Sequence, residues 1–422
     1  MSRNDCTGQF WYYLYNKTML STIKLQKTER DFLLSQDYIE REVLVEAKKS
    51  MDNQLIKVLM GPRRAGKSVL GLLMLKQTNF AYLNFDDEQL IRADNYNKLL
   101  EMCEVVYPGF EYLFLDEVQN LPKWELWVNK LLRRGYKLVI TGSNANLLGG
   151  ELATHLTGRY QRIEVWPMSY SESKIVDSEI SIYQYLINGG YPEVLVKRVE
   201  ANTYLQTLFE SILLKDIVKR FRVRQVEELY NLAKYLMGQF ASLYSYRALS
   251  RMSGVSVSTA QKYVRYLEET YMFLSLPRFD FKYRKQLGYN KKMYVVDTGM
   301  VAANTVQNSK NWGRLLENMV VMEWVRRGGV LGRDLFYYKT KNNKEVDLLV
   351  KKGSEVVELV QIAWEVNGEK TWKREVSALI EAGKELGCSN LTLLVHEKPE
   401  KLSEKVKVME VGGWVEKGTD LR

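Results

Sequence analysis

The eight residues Gly61-Pro62-Arg63-Arg64-Ala65-Gly66-Lys67-Ser68 carry the most specific chemistry in the chain. Glycines at both ends let successive backbone N–H groups turn toward one point, where they can cradle phosphate oxygens. Lys67 is long enough to reach a β- or γ-phosphate, and the Ser68 hydroxyl suits a phosphate-bound Mg²⁺. The apolar residues from Val69 onward predict a helix from Ser68 to Lys76 whose positive N-terminus faces the same anion. The expected nucleotide-binding set is thus Gly61 through Val69, with ATP and Mg²⁺ as its ligands. About fifty residues further on, Tyr112-Leu113-Phe114-Leu115 ends in Asp116-Glu117. Asp116 is suited to hold Mg²⁺, and Glu117 to polarise a water that attacks the γ-phosphate.

Two later positions bear on the same chemistry. Thr141-Gly142-Ser143-Asn144 ends the fourth apolar run, where Ser143 or Asn144 could orient water; the same residues also suit a helix N-cap. Arg159, in Leu156-Thr157-Gly158-Arg159, stands where an arginine can reach a nucleotide held by a neighbouring subunit. A lone arginine there also suits a surface ion pair. The first reading expects a homo-oligomer.

Positioning these groups takes an α/β framework. Apolar runs at Leu55–Met60, Ala81–Phe85, Tyr112–Leu115, Lys137–Thr141 and Gln161–Val165 alternate with amphipathic stretches, which predicts a parallel sheet of βαβ units. Because Ala81–Phe85 intervenes, the acidic strand is third and not second, the pattern of additional-strand P-loop ATPases with a catalytic glutamate. From about Ile182 to Ser242 the pattern is helical. Leu249 to Ala260 has the small-residue turn of a helix–turn–helix, with Val257, Ala260, Val264 and Leu267 expected inside. Ser258, Gln261, Lys262 and Arg265 are left outward for DNA, and the basic run Arg278–Lys292, including Lys282, Arg284 and Lys285, is expected to form a wing. Between Phe240 and Met300 ten Lys and Arg face four Asp and Glu, so more than half of the chain's net charge of +10 lies in this stretch. That balance suits a nucleic-acid surface and equally a solvated face of a structural or protein-contact module.

Composition sets the outer limits. The chain has 422 residues, 46% hydrophobic and 27% charged, which excludes disorder and predicts several domains. Its three cysteines, Cys6, Cys103 and Cys388, and two histidines, His155 and His396, lack the spacing of a disulfide framework or zinc site. No uncharged run near 18 residues and no secretory start occur, so the expected location is the cytoplasm, with no membrane contact.

These motifs together resemble a family of AAA+-like ATPases widespread in bacteria and archaea. The resemblance rests on Gly61–Ser68, Leu115-Asp116-Glu117-Val118-Gln119, Thr141–Leu148, Leu156–Tyr160, Pro167-Met168-Ser169-Tyr170 and Gly189-Gly190-Tyr191-Pro192-Glu193, and it runs from about Asp37 to Leu394. It implies an α/β additional-strand P-loop core with a five-stranded parallel sheet, then a helical lid, a winged helix and a C-terminal α/β nuclease-like domain. The corresponding boundaries are 1–50 for an accessory segment, 51–167 for the core, 168–240 for the lid, 241–290 for the winged helix and 291–422 for the last domain. In that domain the resemblance points to Glu317 on a helix and Asp347 on a strand as remnants of a PD-(D/E)xK metal site. Gln361 stands where the lysine should be, and Glu358 falls on the opposite face. The expected activity is ATP hydrolysis coupled to domain rearrangement or assembly on DNA. The alternatives are a slow nucleotide-dependent switch or scaffold for a protein partner, and an ATP-gated DNA nuclease.

Overall fold

Five short apolar strands build the first sheet. The computed structural model describes residues 6–93, 95–145, 156, 158–305, 311–366, 368–400 and 403–418, with side chains from residue 18 onward. His155, Thr157, Leu147, Leu148 and the Cys6 side chain, all considered above, lie outside the described residues. The chain divides into two compact units, Met1–Val165 and Trp166–Arg422.

In the first unit β1 (Ile56–Met60), β2 (Phe80–Asn84), β3 (Tyr112–Asp116), β4 (Lys137–Gly142) and β5 (Tyr160–Glu164) are parallel in the order β2-β3-β4-β1-β5. Every residue of β1 is buried, as expected of a strand covered on both faces. The helix Lys67–Leu75 packs Leu70, Leu72 and Met74 into a cluster with Leu59, Phe114, Val139 and Ile163. Each such side chain stabilises the unit by about 1.5–3 kcal/mol through burial. The order places β4 between β1 and β3, so the loop after β1, the carboxylates after β3 and the turn after β4 share one end of the sheet.

The N-terminal segment is built into this unit. Helix Cys6–Leu34 lies along the edge strand β2, where the buried Gln26 amide donates to Asn84 O at 3.0 Å and accepts from Asn84 N at 2.9 Å. One side chain thereby imitates a neighbouring strand and covers an edge otherwise open to pairing. Arg30 adds a bond to Phe80 O and lies over the Phe80 and Tyr107 rings.

The second unit begins with the helices Tyr170–Val176, Ile182–Asn188, Ala201–Ser211 and Val226–Gly238. Two of them, Ile182–Asn188 and Ala201–Ser211, pack on the later helix Thr298–Asn304. A three-stranded antiparallel sheet in the order β6-β8-β7 (Ser242–Tyr244, Lys291–Val295, Phe273–Leu276) accompanies the helix pair Tyr246–Ser253 and Val257–Glu269. Ser256 caps the second helix by accepting from Thr259 N. Val257, expected inside, is 40% exposed; Tyr263 takes the buried place with Ala260, Val264 and Leu267. The apolar stripe therefore begins one turn later than the sequence suggests.

The helix Trp312–Arg326 leads into a second five-stranded sheet. Its strands β9 (Leu335–Lys339), β10 (Glu345–Lys352) and β11 (Glu355–Ala363) are antiparallel. After the helix Glu369–Leu386, β12 (Leu391–Val395) and β13 (Lys407–Glu410) continue parallel to β11. Among the described residues no helix is long and apolar enough to cross a membrane.

Candidate functional site

Gly61 must be glycine. Its φ is +153°, and a Cβ there would stand 1.9 Å from Val165 O, so the loop leaves β1 pressed against the end of β5. Arg63 is half-buried, Arg64 is exposed with φ 65°, and Pro62 and Ala65 are buried. Lys67 opens the following helix one residue before its predicted start, with its side chain 4% exposed. The Lys67 amine donates to Gly61 O at 3.2 Å and Pro62 O at 2.9 Å, and stands 3.9 Å from Glu117.

Asp116 is the hub. It is 2% exposed, and its Oδ1 accepts from Ser68 Oγ at 2.9 Å and from the Thr141 hydroxyl, while Oδ2 accepts from Tyr82 OH at 3.0 Å. Burial, then the neighbouring Glu117, pushes its carboxyl up to about 6 against the pull of these three donors. Glu117 leaves the strand in the left-handed region at φ 50°, with its backbone N–H on Thr141 Oγ1 at 2.8 Å. Its carboxylate accepts from Gln119 Nε2 and, at 3.3 Å, from Ser143 Oγ. Asn144 is buried directly after Ser143. The structure thus brings together the loop, Lys67, Ser68, Asp116, Glu117 and Ser143.

Four contributors were missed in the sequence. Thr141 joins Asp116 to the backbone of Glu117, Tyr82 caps the other carboxylate oxygen, and Gln119 holds Glu117. Arg41, from the segment expected to be accessory, donates to Ala65 O in the loop at 3.1 Å. Tyr82 reaches Asp116 through the pairing of Asn84 with Asp116, which sets Tyr82 two residues earlier on the same face of β2, a register only the fold supplies. For the others the linking contacts are tertiary.

Arg159 stands at the opposite end of the sheet from its own loop. Its backbone carbonyl accepts from Ile56 N at the start of β1, and its exposed guanidinium reaches Asn129 Oδ1 at 3.4 Å. It cannot serve the phosphate site of its own chain.

The second unit corrects several expectations. The run Arg278–Lys292 is not a simple wing. Its middle forms a short helix, Tyr283–Gly288, between β7 and β8, and its two ends belong to the body. Arg278 donates to Lys339 O at 3.1 Å and lies over the Tyr289 ring. Lys292 is 3% exposed because β8 is covered on both faces from Lys292 onward. Lys262, Lys282, Arg284 and Lys285 are exposed, whereas Arg265 pairs with Glu269 at 3.3 Å.

Glu317 and Asp347 do come together, and the positive charge thought to be missing is present. Lys292 Nζ lies 2.9 Å from Glu317 Oε1 and 3.2 Å from Asp347 Oδ1. Burial raises both carboxyls, and Lys292 draws both down. Gln361 turns elsewhere, donating to Glu375 Oε2 at 2.8 Å. Glu358 lies apart, accepting from Thr392 Oγ1 at 2.6 Å. His396 stacks on Trp364 with ring centroids 4.0 Å apart, and Cys103 and Cys388 are buried free thiols.

The Gly189-Gly190 pair proves to be packing. Asp297 Oδ2 accepts from Gly190 N at 2.7 Å; a Cβ on Gly189 would stand 2.0 Å from Asp297 Oδ1, and one on Gly190 2.1 Å from Met168 O. The motif fastens the first helices of this unit to the turn after β8.

A family model described as an AAA domain matches residues 53–174, and two models for domains of unknown function match residues 179–311 and 312–411. The uncharacterised protein MJ1544 of Methanocaldococcus jannaschii is 32% identical over 380 residues, covering 84% of this chain and 84% of its own. An uncharacterised protein of Haemophilus influenzae is 31% identical over 341 residues, covering 75% of this chain and 84% of its own. The Walker-type ATPase paby2304 of Pyrococcus abyssi overlaps 64% of this chain and 97% of its own at 13% identity and a TM-score of 0.44. The chain belongs to the family of the M. jannaschii and H. influenzae proteins, and with its AAA domain it is a P-loop ATPase, an enzyme that hydrolyses ATP.

Proposed function

We propose that the chain binds ATP with Mg²⁺ at Gly61–Val69, hydrolyses it with Asp116 and Glu117, and couples the reaction to domain rearrangement or assembly on DNA. The observation that carries this reading is the convergence of Lys67, Ser68, Asp116, Glu117 and Ser143 at one end of the sheet. The loop amides and Lys67 bind the phosphates, the Lys67 amine exchanging its bonds to Gly61 O and Pro62 O for phosphate oxygens. Ser68 and Asp116 fit a Mg²⁺ ion, because a hydroxyl and a buried carboxylate already face each other at 2.9 Å and both are hard oxygen donors. The ion supplies neutralisation of charge on the β- and γ-phosphates. Glu117 accepts the proton of the attacking water, with Gln119 and Ser143 fixing its carboxylate and Ser143 and Asn144 orienting the water.

Arg159 acts on a neighbour's nucleotide in a homo-oligomer, which its distance from its own loop supports. DNA is the partner of the region 241–290, read as a winged helix. Support comes from the exposed Lys262 on the second helix and from Lys282, Arg284 and Lys285 on the β7–β8 connection, while Arg265 is engaged by Glu269. Residues 51–167 form the ATPase core and 168–240 its lid. The region 291–422 is read as a nuclease-like scaffold, supported by its helix–three-strand–helix–strand order. We place the activity in the cytoplasm.

ATP turnover measured with duplex, branched and single-stranded DNA and with RNA, together with the assembly mass with and without nucleotide, tests the reading. It expects DNA-stimulated turnover and nucleotide-dependent growth in mass. Turnover indifferent to every nucleic acid, at constant mass, would replace it with a slow switch for a protein partner.

A further inference from the structure

The polar cluster between β8, the helix Trp312–Arg326 and β10 has an arrangement that ordinary ion pairing does not require. Three carboxylates from two elements, Glu317, Glu345 and Asp347, converge on one ammonium, with their oxygens 2.9, 2.8 and 3.2 Å from Lys292 Nζ. Lys292, Glu317 and Asp347 are 3%, 8% and 7% exposed. The surroundings fix each acid. Tyr294 OH donates to Glu317 at 2.7 Å, Ile362 N donates to Asp347 Oδ2 at 3.1 Å, and Lys339 pairs with Glu345 at 3.1 Å.

An ammonium has three protons, and here three different carboxylates lie within reach of them. Nothing is left over with which Lys292 could assist a phosphate. On β11, just beyond the last β10–β11 pair Leu348–Val360, Gln361 is 6% exposed and its Oε1 has no partner among the described residues. It stands beside a cleft lined by Trp312, Ile362, Trp364, Arg374 and Glu375. Three carboxylate oxygens gathered at one point are the kind of donor a hard divalent cation takes. Among the described residues, however, no group of three or more His, Cys, Asp or Glu is open to a metal ion.

We infer that Lys292 is the resident cation of a divalent-ion site: the chain keeps the acidic constellation and fills its centre with its own ammonium, so this domain takes up no metal ion. The nuclease-like reading of the domain therefore does not extend to metal-assisted cleavage, because the residues present do not fit the ion while Lys292 is in place. Withdrawing the ammonium leaves three fixed carboxylates, each of which needs to move inward by about 1 Å or less to reach a metal ion at its usual 2.0–2.6 Å.

The test is Mn²⁺ binding by the nucleotide-free full chain, read by electron paramagnetic resonance, with thermal unfolding measured in parallel. Lys292→Met keeps the volume and removes the charge. The expected result is one more bound Mn²⁺ than in wild type, and a melting temperature that Mn²⁺ raises in the variant but not in wild type. Adding Asp347→Asn to Lys292→Met should abolish both responses. Should Lys292→Met be too unstable to isolate, Lys292→Gln, which also removes the charge but offers the three acids an amide donor, is read the same way. The inference is overturned if wild type binds Mn²⁺ in a manner lost in Asp347→Asn. A folded Lys292→Met or Lys292→Gln chain that gains no Mn²⁺ site would overturn it equally.

Discussion

Replacing Thr141 with valine removes one hydroxyl and almost nothing else. Thr141 is completely buried, and valine has nearly the same shape, so neither a cavity nor a clash follows. The hydroxyl has two duties: it donates to Asp116 Oδ1, and it accepts the Glu117 backbone N–H at 2.8 Å. A hydrogen bond to a charged group contributes about 1.5–3 kcal/mol, which at about 1.4 kcal/mol per decade corresponds to a fall of roughly 10- to 150-fold in kcat/KM. The stranded N–H costs folding stability a further 1–3 kcal/mol or so. Phosphate release under saturating ATP and Mg²⁺ measures the first effect, and urea unfolding measures the second. Binding of a fluorescent ATP analogue without Mg²⁺ should stay close to wild type, since the loop amides and Lys67 are untouched. Thr141→Ser keeps both hydrogen bonds and should remain within about threefold of wild type. A valine variant that hydrolyses ATP at the wild-type rate, or a serine variant as impaired as valine, would refute the placing of Thr141 between the two acids.

Other outcomes follow from the same geometry. Gly190→Ala drives a Cβ to 2.1 Å from Met168 O and should destabilise the second unit by about 3 kcal/mol or more in urea unfolding, with Asp297→Ala costing about 1–3 kcal/mol through the unpaired Gly190 N–H. Gln26→Leu removes both bonds to Asn84 and should cost about 1–3 kcal/mol of stability, with an increased tendency to associate through the bared β2 edge, visible by light scattering. Arg159→Ala and Lys67→Ala should each be inactive alone yet partly restore turnover when mixed, and no recovery despite confirmed co-assembly would exclude a role in trans. Reversing the charges of Lys262, Lys282, Arg284 and Lys285 should weaken DNA binding at low salt and flatten its salt dependence without altering ATP binding.

The parts of the site that could be read in the sequence are those whose chemistry is local. Gly61–Ser68 and Asp116-Glu117 stand out because residue types and short spacing carry the proposed chemistry, and the five strands follow from runs of apolar residues, with ends misjudged by a residue or so. What escaped were the residues that act across the sheet. Thr141 and Gln119 lie within motifs already noted, but nothing in their spacing says which side chain meets which acid. Arg41 and Gln26 fall in the segment set aside as accessory, and only the fold brings them to the loop and to β2. Lys292 was misread for a different reason. Counting charge along Arg278–Lys292 treats every lysine as surface, whereas β8 is buried on both faces from Lys292 to Val295, which only the packing reveals.

In the proposed mechanism one buried constellation separates nucleotide binding, at Lys67, from bond cleavage, at Glu117. The direct measurement is a paired one, nucleotide affinity and single-turnover hydrolysis in wild type, Lys67→Ala and Glu117→Gln. Lys67→Ala should lose affinity. Glu117→Gln should bind ATP as wild type does and lose most hydrolysis, because an amide cannot accept the proton of the attacking water. Hydrolysis by Glu117→Gln at the wild-type rate, with intact binding, would contradict the account.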